Sequence, residues 1–390
     1  MMMVFLLFLF LGANFLWVLR IRCAISTLKQ VPILQIPPET ASSGAKLMIV
    51  IPARNEEENL PCCLRSIIPQ LTPNIACLAV NDRSTDKTEA QLIEQGFTLA
   101  HDRPLPQKSY LNLTQKPPLG WTGKNNALHA ASSFLDQAEW LLFTDADTHH
   151  QSGGIQAALN YAIQHKLDLL TLTPKCLTAS PIERLIQPTA MGLMGLWYPL
   201  NRTNEPEHSD HFANGQFLLI RTDLYRHLGG HASVHDCFLE DFALMKKSKQ
   251  LKAKVLCARG QELYGTRMYR SLTQLWRGWR RIYLHGSQQR PITLLKQAVE
   301  LLITSVLPAA GILVLAFWGT TEKPALYAVD WGLAILWLGL TFATAISIYQ
   351  TLQGPRRYAL LHPLAALIIV GILCDAVRCT LFKQKTQWRG

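Results

Sequence analysis

Asp145 and Asp147 stand one residue apart at the end of the apolar run Trp140-Leu-Leu-Phe-Thr. Such a run reads as a buried strand, and two carboxylates at its end are costly to place unless a positive charge meets them. A divalent cation carrying a diphosphate meets that need, because hard cations take one or two carboxylates together with phosphate oxygens. The same stretch also reads as an Asp-rich strand-to-turn boundary, common in any α/β protein. Further acidic groups accompany it: Asn55-Glu56 and Asp82 upstream, Glu240-Asp241 downstream. His149 and His150 follow the aspartates closely, but a diphosphate site calls for oxygen donors, so they read as solvated loop histidines.

These side chains need a scaffold. Residues 46–53, 74–81, 141–144 and 167–173 read as strands. Residues 56–68 read as a helix with Asn55 as N-cap, Ser84 or Thr85 caps the next one, and helical stretches follow near 123–136 and 153–165. Strand alternating with helix predicts an α/β fold with a mostly parallel sheet covered on both faces. In such sheets ligands bind beyond the carboxyl ends of the strands. Asn55/Glu56, Asp82 and Asp145/Asp147 all fall at those ends.

The chain has 390 residues, 49% hydrophobic, with a formal net charge of +11. That length accommodates one sizeable domain plus membrane segments, and the charge suits a lipid surface or a phosphorylated ligand. No basic-aromatic module or zinc-finger spacing points to nucleic acid. Nine cysteines, without Cys-x-x-Cys spacing, argue against a disulfide framework or zinc site and read mostly as small buried hydrophobes.

Residues 2–19 are apolar apart from Asn14 and are long enough to span a bilayer as a helix. They lack a basic leader and a clean cleavage site, so they read as an uncleaved anchor. Arg20, Arg22 and Lys29 follow, which places the next residues in the cytoplasm, here of a bacterial inner membrane. The sequons at Asn112 and Asn201 would then go unused. Apolar stretches recur at 299–318, 330–349 and 358–374. If all three span, the basic tail ends outside, against the charge rule, so one stretch is expected to lie in the interface or re-enter the membrane; the last is the candidate, because His362, Pro363, Asp375 and Arg378 interrupt or border it. The expected division is an anchor (1–20), a juxtamembrane linker (21–45), a catalytic domain (46–290) and a C-terminal membrane region (291–390).

Read together, the motifs carry a resemblance. Ile51-Pro-Ala-Arg-Asn-Glu-Glu57, Val80-Asn-Asp-Arg-Ser-Thr-Asp86, Gly120-Trp-Thr-Gly-Lys-Asn-Asn-Ala127, Thr144-Asp-Ala-Asp147, Ala213-Asn-Gly-Gln216, Gly229-Gly-His231 and Leu239-Glu-Asp241 occur in an order and spacing that resemble family 2 glycosyltransferases of the GT-A fold. Among these the chain is similar to membrane-bound lipid glycosyltransferases of the hopene-associated, carotenoid-precursor and ceramide glucosyltransferase type. The resemblance covers roughly residues 46–290, and the tail Gln387-Trp-Arg-Gly390 also resembles a motif of these enzymes.

The resemblance implies an inverting sugar transfer from a nucleotide sugar, UDP-linked by preference, to a membrane lipid acceptor at the bilayer. Glu56 and Asp82 would contact base and ribose, where a carboxylate accepts from ring N–H or hydroxyl donors. Asp86 reads instead as a helix-start residue. Lys124, between Gly120, Gly123 and Asn125, would neutralise the donor diphosphate. Asp145 and Asp147 would hold Mg2+ or Mn2+, with their division of labour left open. Asp241 would take the acceptor proton, with Glu240 orienting it or raising its pKa by like-charge proximity. Taken alone, that pair reads more readily as a helix-opening acidic turn.

Gln274-Leu-Trp-Arg-Gly-Trp279 resembles the Gln-x-x-Arg-Trp motif of processive synthases with one residue inserted, which puts processivity in doubt. It makes Arg277 a diphosphate contact and Gln274, Trp276 and Trp279 acceptor-side residues. The stretch 267–290, mixing Arg with Trp and Tyr, also describes an amphipathic helix on anionic lipid. Residues 188–200 read either as a membrane-facing surface or as a core helix. The alternatives are a polyprenyl-phosphate sugar transferase, a polysaccharide synthase, or a non-catalytic membrane scaffold. The retained Asp145, Asp147 and Asp241 argue against the last.

Overall fold

The computed structural model describes residues 2–39, 42–101, 103–318 and 324–382. Two compact units result. One is α/β, built from residues 30–177 and 198–268; the other is helical, built from the N-terminal helix, residues 178–197 and residues from 269 onward. This departs from the expected division. Residues 178–197 and 269–290 belong to the helical unit, because their apolar faces are covered by other helices there. The supposed linker is split: residues up to 29 continue a helix, while the next ones join the α/β unit, with Leu34 N donating to Arg259 O at 2.9 Å.

The strands are β1 (Leu47–Ala53), β2 (Ile75–Asp82), β3 (Thr98–Leu99), β4 (Lys108–Leu113), β5 (Trp140–Phe143), β6 (Thr148–His150), β7 (Leu169–Thr173), β8 (Lys175–Cys176), β9 (Leu218–Arg221), β10 (Val255–Arg259) and β11 (Tyr264–Thr266). Eight of them form one sheet in the order β10-β7-β9-β5-β1-β2-β4-β3, and β6-β11-β8 form a smaller one. The large sheet is parallel except for β9, which runs antiparallel to both β5 and β7. The antiparallel strand brings its own start, and the loop before it, to the edge where β5 ends, since Phe143 pairs with Leu218.

The two-faced burial of this sheet is visible residue by residue. In β1, Leu47, Ile49 and Ile51 enter one core cluster while Met48 and Val50 enter the other. Successive side chains of a strand point to opposite faces, so a continuous apolar run is what a sheet covered on both sides requires.

The helices, in chain order, are α1 (Met2–Gln30), α2 (Leu60–Ile67), α3 (Thr88–Glu94), α4 (Gly123–Ala130), α5 (Gly154–Gln164), α6 (Pro181–Trp197), α7 (Leu200–Asn204) and α8 (Thr222–His227). They continue as α9 (Glu240–Gln250), α10 (Leu272–Gly286), α11 (Pro291–Leu301), α12 (Leu307–Trp318), α13 (Pro324–Thr351) and α14 (His362–Leu381). Among the described residues, three helical stretches, Pro291–Leu313, Trp331–Thr351 and Arg356–Leu381, are long and apolar enough to cross a membrane.

His362 and Pro363 do not break the last stretch as a helix. Pro363 lies in the first turn of α14, where its missing N–H costs nothing, and the helix runs on unbroken to Leu381. Asp375 is satisfied rather than disruptive: it accepts from Trp276 Nε1 at 2.9 Å, Arg280 Nη1 at 2.9 Å and Arg378 Nη2 at 2.8 Å. Residues 188–197 lie on α6, which buries Leu185, Ile186, Ala190, Leu193 and Leu196 within the helical unit. All nine cysteines are free; Cys63, Cys77, Cys257 and Cys379 are buried, whereas Cys23, Cys62 and Cys374 are exposed. The tail motif at 387–390 lies outside the described residues.

Candidate active site

The loops after β1 and β2 are stitched together. Asn55 does not cap a helix: its backbone is left-handed (φ 52°), and α2 begins only at Leu60. Its Oδ1 accepts from Thr85 N at 2.8 Å, and its own N–H donates to Ser84 Oγ at 3.0 Å. Ser84 and Thr85 are therefore spent on this tie rather than on capping. Asp86 opens α3 instead, accepting from Thr88 N and Glu57 N at 3.0 Å each. Against the effect of burial, the hydrogen bonds from Thr88 and Glu57 hold its carboxyl below the usual range.

Glu56 sits in this stitched corner, 8% exposed, with its N–H donating to Thr88 Oγ1 and its carboxylate accepting from Asn59 Nδ2, both at 2.8 Å. Asp82, fully buried at the end of β2, is bracketed by two arginines. Arg83 donates to it from Nε at 2.7 Å and Nη2 at 3.0 Å, and Arg54 Nη1 lies 3.7 Å away. Neither arginine stood out in the sequence, because a cation beside a motif acid is recognisable only once its side chain is placed.

A second cluster forms where β5, α4, α9 and the loop before β9 meet. Thr122 caps α4, its hydroxyl accepting from Asn125 N, which fixes Lys124 in the first turn. Lys124 Nζ lies 2.8 Å from Asp145 Oδ1 and 2.7 Å from Glu240 Oε1. Burial alone would discharge this ammonium, but Asp145, Glu240 and Asp241 outweigh it and hold its pKa above the ordinary lysine value. Asp241 is buried, accepting from Gly215 N at 2.6 Å and from Phe242 N at 2.9 Å. Burial first and Glu240 second push its pKa up to about 7, against the pull of Lys124 and the two N–H groups. A carboxylate poised near neutrality is suited to taking a proton.

Gly215 stands at the centre of this cluster. A Cβ there would lie 3.1 Å from Lys124 Nζ, 3.2 Å from Glu240 Oε1 and 3.3 Å from Asp241 Oδ2. Asn125 holds the frame from behind: its buried Nδ2 donates to the carbonyls of Val234 at 2.6 Å, His235 at 3.2 Å and Cys237 at 2.9 Å. Both belong to motifs quoted from the sequence, yet their roles depend on residues about 25 and 110 positions away and have no local signature. His231 also borders the cleft. It is neutral, its pKa pushed down to about 3 mainly by burial and then by Lys124, and its Nδ1 lies 2.6 Å from Tyr225 Oη.

Asp147 is positioned by the small sheet. Its carbonyl accepts from Arg267 N at 3.2 Å, and Thr266 Oγ1 lies 3.4 Å from its Oδ1. Behind the turn, Thr148 Oγ1 donates to Asp145 O at 2.7 Å and Thr144 Oγ1 donates to Gln216 O at 2.8 Å. His150 is no solvated loop residue: it lies on β6, 2% exposed, with Nε2 3.1 Å from Thr144 Oγ1 and 3.2 Å from Thr148 Oγ1. Both hydroxyl protons are already donated to carbonyls, so Nε2 must carry the ring proton. Burial keeps the ring neutral, its pKa pushed down to about 3. His149, half-buried on the same strand, has its Nδ1 3.8 Å from Cys62 Sγ.

The remaining candidates lie on α10 in the helical unit. Gln274 is exposed, and its Oε1 accepts from Arg270 N at 2.8 Å, supporting the Ser271 cap at the helix start. Arg277 is exposed. Trp276 donates to Asp375, as described above. Trp279 was expected on the acceptor side but is 2% exposed, with its indole N–H donating to Gln187 Oε1 at 2.7 Å, which makes it a packing residue of that unit.

Residues 48–229 match the model of glycosyl transferase family 2. The 4,4'-diaponeurosporenoate glycosyltransferases of Staphylococcus aureus (strain MRSA252) and Staphylococcus haemolyticus are 27% and 26% identical over 255 and 238 residues. Those alignments cover 63% and 60% of this chain and the same shares of the relatives, so the match spans about three fifths of each curated relative's length. A mannosyltransferase from Pyrobaculum calidifontis, solved with GDP-Man and Mn2+, shares the fold with a TM-score of 0.52 at 15% identity, over 98% of this chain and 99% of that one. The segment 48–229, which carries Glu56, Asp82, Lys124, Asp145 and Gly215, thus matches glycosyl transferase family 2 and lies in a GT-A fold.

Proposed function

We propose that the chain transfers a sugar from a nucleotide-sugar donor, UDP-linked by preference, to a hydroxyl or carboxylate of a membrane lipid, with inversion at the anomeric carbon. The observation that carries this reading is the buried carboxylate of Asp241, fixed by two backbone N–H groups beside the Lys124–Asp145–Glu240 cluster. The mannosyltransferase holds a nucleotide sugar and Mn2+, the staphylococcal relatives are named for a carotenoid-related acid, and three apolar helices accompany the domain here.

Asp145 and Asp147 fit a hard divalent cation. They supply two carboxylates from one strand-end turn, and no group of three or more His, Cys, Asp or Glu side chains occurs among the described residues to enclose a metal completely. The rest of such an ion's shell is left to diphosphate oxygens and water. When bound, Mg2+ or Mn2+ supplies Lewis-acid stabilisation of the departing diphosphate. Lys124, paired with Asp145, adds positive charge for the same leaving group.

The corner between the β1 and β2 loops, with Glu56 near its surface and Asp82 holding Arg83 beneath it, receives base and ribose. Asp241 removes the acceptor proton during in-line attack, and Glu240, held by Lys124, sets its charge environment. Arg277, exposed on α10, suits an anionic lipid surface on the cytoplasmic side. Incubating membranes that contain the protein with a panel of labelled nucleotide sugars, then resolving the lipid extract by mass, tests the reading. Label confined to polymer or to free sugar would overturn it.

A further inference from the structure

Beside Asp241 lies an aromatic cluster that none of the roles above uses. Phe242, the next residue of α9, is met edge-on by three rings: Phe212 at 5.2 Å, Tyr198 at 5.5 Å and His211 at 6.5 Å between centroids. All four side chains are half-buried rather than enclosed, unlike Phe143 and Phe217 of the sheet cores. Among the described residues the Tyr198 hydroxyl has no hydrogen-bond partner, and burial pushes its pKa up to about 12, so it remains an unspent donor.

The segment carrying Tyr198, His211 and Phe212 is fastened to α9 from its far end. Lys249 Nζ donates to the carbonyls of Thr203 at 2.8 Å, Glu205 at 3.0 Å and Asp210 at 2.9 Å, and lies 3.4 Å from that of Arg202. Asn204 adds a reciprocal pair with Cys257, donating at 2.9 Å and accepting at 2.6 Å. An ammonium spent on main-chain carbonyls serves no substrate; it fixes a loop. The loop so fixed holds its rings against the residue that follows the proton-accepting carboxylate.

We propose that Tyr198, Phe212 and Phe242 form the acceptor-side wall of the site, receiving the apolar body of a long-chain acid or alcohol whose carboxyl or hydroxyl faces Asp241. This rests on the transferase reading. Aromatic rings gain most from apolar or unsaturated carbon, and the Tyr198 hydroxyl supplies one donor to an oxygen of the reacting group. An acceptor joined to its body through a sugar or a phosphate would call for polar or cationic side chains where these rings stand.

The test is photo-labelling of the full chain in lipid nanodiscs with a long-chain fatty acid carrying a diazirine near its carboxyl, mapped by peptide mass. The expected result is adducts on Tyr198, Phe212 or Phe242, competed by unlabelled fatty acid and reduced severalfold in Phe212→Leu and Tyr198→Leu. Adducts confined to the apolar helices, or adducts indifferent to both substitutions, would overturn the proposal. A kinetic arm separates this from the function itself: Phe212→Leu should raise KM for a lipid acid acceptor about tenfold while donor KM stays within about twofold. Equal KM values overturn the wall. If the unaltered protein transfers no sugar to any acceptor, the transferase reading fails, and the adducts still decide whether this surface takes an apolar acid.

Discussion

The backbone N–H of Gly215 donates to Asp241 Oδ2 across 2.6 Å, so the loop before β9 and the first turn of α9 are joined at the carboxylate itself. The absence of a side chain at 215 is what permits this approach. In Gly215→Ala the new Cβ would crowd Lys124, Glu240 and Asp241 at 3.1–3.3 Å, so the cluster must yield by a few tenths of an ångström. The expected outcome is a folded protein whose transfer rate falls about 100-fold, the usual cost of a small misplacement of reacting groups. Unchanged kcat with the same thermal midpoint would count against it.

The proton-accepting role has a pH signature. Asp241 must be ionised to act, and its pKa lies at about 7, so kcat/KM should rise with pH and level off above neutrality. Lys124 lowers that pKa, so Lys124→Met should move the limb to higher pH. For stability the sign is opposite. The folded state holds this proton more tightly than the unfolded chain does, so stability falls as pH rises from the ordinary aspartate value of 3.8 toward about 7. Asp241→Asn should abolish that limb along with transfer while donor binding persists, as a nucleotide-binding titration would record.

Lys124→Met also leaves Asp145 and Glu240 facing each other without a cation. Removing one partner of a buried pair costs about 3–5 kcal/mol. The Asp145 side chain keeps 29% exposure, so the low end, about 3 kcal/mol, is expected in thermal unfolding in detergent. A loss below about 1 kcal/mol, the range of a surface pair, would show the cluster to be solvent-screened.

Chelation should stop transfer, with Mn2+ restoring it. Asp147→Ala should remove the response to Mn2+ titration, whereas Asp145→Ala should mainly release Lys124. An identical Mn2+ response in Asp147→Ala and the unaltered protein would refute the assignment.

Asn125→Ala removes one donor from each of three carbonyls; Val234 O keeps the N–H of Cys237 and His235 O that of Thr122, so the loss falls hardest on Cys237 O. An unsatisfied buried polar group costs about 1–3 kcal/mol, and a loss of roughly 2–3 kcal/mol is expected, with faster amide exchange in residues 231–239. Exchange rates matching the unaltered protein would place the restraint elsewhere.

Much of this was legible before any coordinates. The apolar runs at β1, β2, β5 and β7 declare buried strands, because a sheet covered on both faces cannot afford polar alternation. Their polar ends therefore gather Glu56, Asp82 and Asp145 on one edge. Strands with mixed burial, such as β4 with its Lys-Ser-Tyr-Leu-Asn-Leu, gave no such signal. The division into units is not legible for a similar reason: an amphipathic stretch such as α10 does not state whether its apolar face meets a sheet, other helices or lipid.

By itself the sequence determined which residues carry charge, which runs must be buried and in what order the motifs follow one another. It marked Asp145 and Asp147 as a strand-end pair and Glu240 and Asp241 as a helix-opening pair. Only the tertiary structure decided that Lys124 stands between those pairs, that Gly215 gives its N–H to Asp241, and that His150 is buried with its proton on Nε2. These relations join segments from about 20 to about 120 residues apart, and even the His150 proton depends on the distant Gln216 carbonyl that takes the Thr144 hydroxyl proton. Periodicity and local propensity act over one helical turn or one strand, so they contain no information about such contacts until packing brings the segments together.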